Sequence, residues 1–376
     1  MAIRIAIATP TPLHRCETFI ANHIERLDRV ELLVTDGMLP AFDRNGLSLL
    51  GATKWARAVD KLGGALRGQD WRSRVRVRIT ELLRKERVQV VLAEYGNTAS
   101  EMLPSCQAAG VPLVAYFLGY DAYRGDQLQM HGNYTKLFAG AAAIVAVSRA
   151  IREQLIALGA PPEKVIYNSC GADLSTFTAC EPGSAPPHFL AVGRFVEKKA
   201  PHITVKAFAR VAKDRPEARL TMVGDGDLLE QCQQLVREHG LEAQVDLCGK
   251  RTPVEIATLL QRSRAFVQHS VVTASNDREG TPVAILESMA AGVPVISTRH
   301  GDIVELVKHN ERGLLCDEGD VEEMAANMLQ LIDRPDLAAR MGAAGRSYVF
   351  AEHRLEDRIA SLQKILENAA REQVRG

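Results

Sequence analysis

Two glutamates eight positions apart, Glu279 and Glu287, bracket the segment EGTPVAILE. Carboxylates accept hydrogen bonds from hydroxyl groups, so what lies between them decides what they could hold. Gly280-Thr281-Pro282 follows the first glutamate directly. Pro282 suits the first position of a helix, where a missing N–H costs nothing. That helix is predicted to run to Ala291, with Gly292 as its stop and Pro294 beyond. Glu287 then lies one turn past Val283 on the same side, and helical side chains lean back toward the helix start. The tip formed by Gly280, Thr281, Pro282 and Val283 offers amide donors at the positive end of the helix dipole, which favours a phosphate. A nucleoside diphosphate fits this layout, with its ribose hydroxyl pair at Glu287 and its substituent at Glu279. Spacing alone means little in a chain with 46 acidic residues. The Gly-Thr-Pro turn and the helix placement give it meaning.

A second segment, FLAVGRFVEKKA, ends a strand at Gly193 and follows it with Arg194, Lys198 and Lys199. Cations at the carboxyl end of a strand suit a diphosphate, and arginine can bind one in bidentate fashion. A solvated basic turn is the other reading of these residues alone. The segment VGDGD, from Val223 to Asp227, lacks the third glycine of a dinucleotide fingerprint and follows the wrong strand for one, so it reads as a tight strand-to-helix turn.

These residues need a scaffold. Short runs rich in Val, Ile and Leu alternate with amphipathic helical stretches, about six strands in each half, among them Val88–Glu94, Val111–Phe117 and Val293–Ser297. Such alternation predicts α/β architecture with parallel sheets and right-handed crossovers. The Pro-rich stretch TACEPGSAPP (178–187) reads as a linker. It divides the chain into a first domain, 1–177, and a second, 188–353, each a doubly wound, Rossmann-like sheet. The expected ligand site is the cleft between them, at the carboxyl ends of the strands. A charged helix from about 354 to 376 is expected to return to the first domain.

At 376 residues the chain has room for two such cores. Its 46 Lys and Arg balance its 46 Asp and Glu, so no global charge favours nucleic acid as a partner. Seven scattered cysteines, without a C-x-x-C pair, suggest neither a disulfide framework nor a zinc site. No run of roughly 18 apolar residues predicts a membrane span, and the start lacks a signal-peptide pattern. The expected location is the cytoplasm or the inner face of a membrane. Between Arg67 and Arg87 eight cations (Arg67, Arg72, Arg74, Arg76, Arg78, Arg84, Lys85, Arg87) meet three acids (Asp70, Glu81, Glu86), with Trp55 and Trp71 nearby. This stretch could rest on anionic lipid, or be a solvated helix face.

Together, VGRFVEKKA, TMVGDGDLLE, VDLCGK and above all EGTPVAILESMAAGVPVIST resemble the retaining glycosyltransferases of family 4, over essentially the whole chain. The run QHSVVT (268–273) and Glu17-Thr18-Phe19-Ile20 are similar to the branch that builds exopolysaccharide and lipopolysaccharide. The resemblance implies the GT-B fold, in which two Rossmann-like domains face each other. It implies transfer of a sugar from a UDP- or GDP-linked donor to a glycan or lipid-linked acceptor without a metal or other cofactor. By position, Arg194 and Lys199 would neutralise the donor diphosphate, Glu279 would bind the donor sugar, and Glu287 the ribose. Gly280 to Val283 would hold the distal phosphate, while backbone around Leu247–Lys250, including Gly249 and Lys250, would meet the base. The first domain departs from the family pattern. Leu118 in FLGYD stands where relatives carry a histidine, and Glu94 in Glu94-Tyr95-Gly96 replaces a second. Asp121 is the first-domain candidate for a catalytic or orienting role, with a helix cap as its other reading. A sugar-nucleotide binder that has lost turnover is the alternative to an enzyme.

Overall fold

A computed structural model of the chain describes residues 2–12, 17–51, 53–66 and 68–375. Two compact units divide it: Met1–Ser169 with Arg358–Gly376, and Cys170–Asp357. In the first unit the strands are β1 (Ile5–Ala8), β2 (Val30–Thr35), β3 (Phe42–Asp43), β4 (Val90–Glu94), β5 (Leu113–Phe117), β6 (Ala143–Ala146) and β7 (Val165–Tyr167). They form one sheet in the order β3-β2-β1-β4-β5-β6-β7. All pairings are parallel except β2 with β3. The central strands β1, β4, β5 and β6 are buried along their whole length. That is why they appear in the sequence as unbroken apolar runs rather than alternating ones.

Helices α1 (Thr18–Arg26), α2 (Lys54–Leu66), α3 (Trp71–Lys85) and α4 (Gly96–Ala109) belong to this unit. Strands β4 and β5 each start two residues later than the apolar runs suggest. The reason is common to both. Val88 N–H is spent on Leu83 O and Val111 N–H on Cys106 O, each closing the helix before it.

The second unit holds β8 (His188–Val192), β9 (Arg219–Val223), β10 (Val245–Leu247), β11 (Ala265–Val267), β12 (Val295–Thr298) and β13 (Gly313–Cys316). Their order is β10-β9-β8-β11-β12-β13, all parallel. Helices α5 (Pro201–Asp214), α6 (Leu229–Glu238) and α7 (Val283–Ala290) connect them. Strand order reverses between β8 and β11, the crevice where ligands bind in open α/β sheets. Strand β12 begins after Pro294, which has no N–H for the ladder.

The Pro-rich stretch 178–187, expected as a linker, lies inside the second unit. Cys180 N–H donates to Ala291 O at 2.9 Å, and Arg264 Nη2 to Ala185 O. The final helix, α8 (Leu355–Arg375), spans the unit boundary, and its residues from Arg358 onward group with the first unit. There Asn168 Nδ2 donates to Arg358 O at 3.1 Å and Asp28 N–H to Gln363 Oε1 at 3.2 Å. Among the described residues, no helix is long and apolar enough to cross a membrane.

The basic stretch falls mostly on α3; Arg67 lies outside the described residues. Much of its charge is already matched. Arg72 and Arg76 both reach Glu101, Arg74 pairs with Asp60, and Arg78 with Glu81.

Candidate active site

The site in the second unit is built from the ends of four strands. After β8 the chain turns through Gly193 and exposed Arg194, then through a short 3-10 turn carrying Lys198 and Lys199. Ala200, at φ 36°, and Pro201 then start α5. The VGDGD segment is the tight turn expected. A side chain at Gly224, whose φ is 147°, would collide with the Gly193 carbonyl. Glycine there lets the β9 turn press against the Arg194 turn. Gly249 follows β10, its carbonyl accepting Gly224 N–H at 2.9 Å, and exposed Lys250 comes within 3.9 Å of Asp225. A small cavity at the strand-order reversal is lined in part by Gly193, Arg194, Lys199 and Gln268.

Lys199 Nζ lies 2.8 Å from Glu279 Oε2 and 3.3 Å from Gln268 Oε1. Lys198 Nζ pairs with Asp277 at 3.0 Å and sits 3.8 Å from Glu279 Oε1. Burial would raise the Glu279 carboxyl, but the two lysines overcome it and hold the pKa down at about 2. Glu279 is therefore an anion at neutral pH. Burial pulls Lys199 the other way, lowering its ammonium, while Glu279 resists. One Glu279 oxygen, Oε1, is buried without a hydrogen-bond partner among the described residues. Such an oxygen is costly unless a ligand completes it.

Helix α7 starts at Val283, one residue later than expected, with Pro282 as its N-cap, and ends at Ala290. Val283 and Ala284, its first residues, have no intrahelical carbonyl to meet. Pro282 has no N–H, so the donors at this tip belong to its neighbours. Glu287 is 6% exposed, and burial raises its carboxyl to about 8. Among the described residues it makes no side-chain hydrogen bond or ion pair. The structure thus brings Arg194, Lys199, Glu279 and the Gly280–Val283 tip into one unit with Glu287.

The support beneath Glu279 is not legible in the sequence. Glu279 N–H donates to His300 Nε2 at 3.1 Å, and His300 Nδ1 lies 2.5 Å from Glu318 Oε1. This pattern assigns the proton to Nδ1, with Glu318 accepting it. The other Glu318 oxygen accepts Val272 N–H at 2.9 Å. Gly319 N–H donates to Nε2 of His269, whose pKa burial lowers to about 4, keeping it neutral. Three strand ends, after β11, β12 and β13, therefore clamp the loop that carries Glu279. Replacing His300 by alanine is expected to lower turnover about tenfold or more with nucleotide affinity nearly unchanged, because it frees the loop that positions Glu279 and small misplacements are costly. His300→Gln, which can still accept the Glu279 N–H, should recover part of the loss. Steady-state kinetics beside nucleotide titration checks this.

In the first unit, Asp121 is fully buried and accepts N–H bonds from Gly96, Leu118 and Gly119 at 2.8–3.1 Å. Burial raises its pKa despite those bonds. It lies within the short helix Tyr120–Tyr123 rather than at its cap, and it ties two strand-end loops together. Glu94, also fully buried, meets His23 Nδ1 of α1 at 2.7 Å. Next to it, Tyr95 adopts φ 71° and donates its hydroxyl to Glu17 at 2.9 Å. His23 was signalled only by its place three residues after Ile20 on the buried face of α1.

The family described as Glycosyl transferases group 1 matches residues 181–348, and Glycosyltransferase Family 4 matches residues 19–176. The amylovoran biosynthesis glycosyltransferase AmsK of Erwinia amylovora is 33% identical over 280 residues, 73% of this chain and 69% of the relative. The putative colanic acid biosynthesis glycosyltransferase WcaL of Escherichia coli is 28% identical over 260 residues, 67% of this chain and 64% of the relative. Among solved structures, Anabaena HepE in complex with UDP superposes with a TM-score of 0.76 at 16% identity, covering 97% of this chain and 100% of that one.

Proposed function

This chain is a glycosyltransferase of family 4, and we propose that it moves a hexosyl unit from a UDP- or GDP-linked donor to a glycan or lipid-linked acceptor with retained anomeric configuration. The observation that carries the proposal is the pair of under-satisfied carboxylates, Glu279 and Glu287, on either side of a helix tip beside Lys199. Assembly of a cell-surface polysaccharide is the setting we propose, because the amylovoran and colanic acid enzymes are relatives.

In this reading Arg194 and Lys199 neutralise the diphosphate, taking the place of a metal ion. The Gly280–Val283 tip holds the distal phosphate, Glu287 the ribose, and backbone near Gly249 and Lys250 the base. Ionised Glu279 accepts hydrogen bonds from hydroxyls of the donor sugar. The bond between the anomeric carbon and the phosphate oxygen breaks, and the acceptor oxygen bonds to that carbon on the same face. The acceptor's proton passes to the departing phosphate oxygen, so no protein base is needed and Leu118 does not block the reaction.

A thermal-shift panel with UDP, GDP, ADP and their sugar conjugates, with and without EDTA, tests the donor site. Ligand at about 100 times its dissociation constant should stabilise by roughly 2.7 kcal/mol. We expect one nucleotide to act and EDTA to change nothing. The anomeric signal of the transfer product, read by NMR, then checks retention. Stabilisation without any donor turnover, even slow hydrolysis, would mark a binder that has lost catalysis.

A further inference from the structure

Along helix α2, Lys54–Leu66, three large apolar side chains turn outward. Trp55 is 78% exposed, Val59 50% and Leu62 65%. Positions i, i+4 and i+7 fall on one face of a helix. Among the described side chains, the face turned inward carries almost no apolar bulk. It holds Ala56, Asp60 and the small residues Gly63 and Gly64, with Arg74 of α3 packed over Gly64 and paired to Asp60. Burial within the unit thus gives no account of the tryptophan and leucine, and an exposed apolar stripe of this kind marks a contact surface.

Charge says what it contacts. Lys54, Arg57 and Lys61 are exposed on the flank of the same helix, and none meets a carboxylate among the described residues. The sole acid of α2, Asp60, is spent on Arg74. We infer that α2 is an interfacial helix that lays Trp55, Val59 and Leu62 into an anionic phospholipid surface, with Lys54, Arg57 and Lys61 against the headgroups. Thirteen residues are too few to span a bilayer, which needs about 20. The same number suffices for a helix lying in the interfacial plane, where tryptophan prefers to sit. A symmetric contact with a second copy would bring the three cations against their own counterparts, with no acid on the helix to offset them. The contact is on α2 rather than α3, whose arginines are largely paired.

The chain has two tryptophans, Trp55 and Trp71, so Trp71→Phe leaves Trp55 as the sole reporter. The experiment uses the full chain with vesicles rich in phosphatidylglycerol, and phosphatidylcholine vesicles as the control. We expect co-sedimentation with the anionic vesicles, weakened by salt, and quenching of Trp55 by brominated acyl chains. The exposed double variant Trp55→Ser/Leu62→Ser should lower partitioning about tenfold or more, and Lys54→Gln/Lys61→Gln about tenfold. Both variants should melt as the parent does. No binding to anionic vesicles at low salt overturns the inference, as does wild-type partitioning of Trp55→Ser/Leu62→Ser. A concentration-dependent dimer that this variant abolishes, without vesicle binding, assigns the face to a second copy and overturns it too.

Discussion

Sugar transfer by a Glu279→Gln enzyme is expected to fall by about a hundredfold or more, while its affinity for the nucleoside diphosphate does not weaken. Glu279 is held ionised by Lys199 and Lys198, and its Oε1 is buried with no hydrogen-bond donor among the described residues. In the proposed complex that oxygen meets the sugar, not the nucleotide, so the loss should appear in turnover. The same substitution takes away the partner of Lys199. A buried charge left alone is destabilising, and the ligand-free variant should lose about 3 kcal/mol. A bound diphosphate supplies anionic oxygens in its place, so nucleotide should raise the melting temperature of the variant more than that of the parent. The pH dependence has a defined sign. The carboxyl is lowered from 4.5 to about 2 on folding, so its contribution is present above about 4.5 and is lost as pH falls toward about 2. The stability gap between parent and variant should narrow over that window. Thermal melts across pH, nucleotide titration and a transfer assay measure all three quantities. Full transfer activity in the variant would remove Glu279 from the reaction.

What the sequence made legible was whatever lies within one short segment. EGTPVAILE carries its turn, its helix and both carboxylates in nine residues, and the central strands announce themselves because they are buried on both faces. The misses are of two kinds. Strand β3, Phe42–Asp43, is two residues long and too short for any periodicity, so the first sheet gains an antiparallel edge that no apolar run predicts. The other misses are pairs made by topology. His23 and Glu94 are 71 positions apart, and His300 meets Glu318 because parallel neighbours β12 and β13 bring their carboxyl ends together. Glu94 could be seen as a departure from the family pattern. That it had acquired a histidine partner could not. The contacts of the Pro-rich stretch are hidden for a related reason. Composition marks 178–187 as irregular chain, but hydrogen bonds to Ala291 and from Arg264 decide that it is pinned.

Glu287 should trade stability for binding, and that trade can be measured in one protein. In the ligand-free chain its carboxyl has no partner among the described residues, and burial raises it from 4.5 to about 8. A folded-state pKa above the unfolded one means the stability of the neutral form is fully present below about 4.5 and is lost as pH rises through about 8. Glu287→Gln keeps the shape and removes the ionisation. It should therefore match the parent in mild acid and exceed it at pH 9, by an amount on the order of a few kcal/mol. Binding should move in the opposite direction. A ribose hydroxyl pair donates to both oxygens of a carboxylate, and the amide, with one acceptor, leaves a donor unmatched. Loss of about 1–3 kcal/mol of nucleoside diphosphate affinity is expected for Glu287→Gln or Glu287→Ala. Because the ligand favours the ionised form, binding near pH 7 should release part of a proton from the parent and less from the variant. Calorimetric titration in two buffers of different ionisation enthalpy reads that proton directly. A variant that gains stability at high pH yet keeps full affinity for every nucleoside diphosphate would leave Glu287 as a strained core residue and move the ribose elsewhere. A variant that loses affinity and proton release together would tie the raised carboxyl to the ligand, an unpaired buried acid being tolerated where its partner arrives with the substrate.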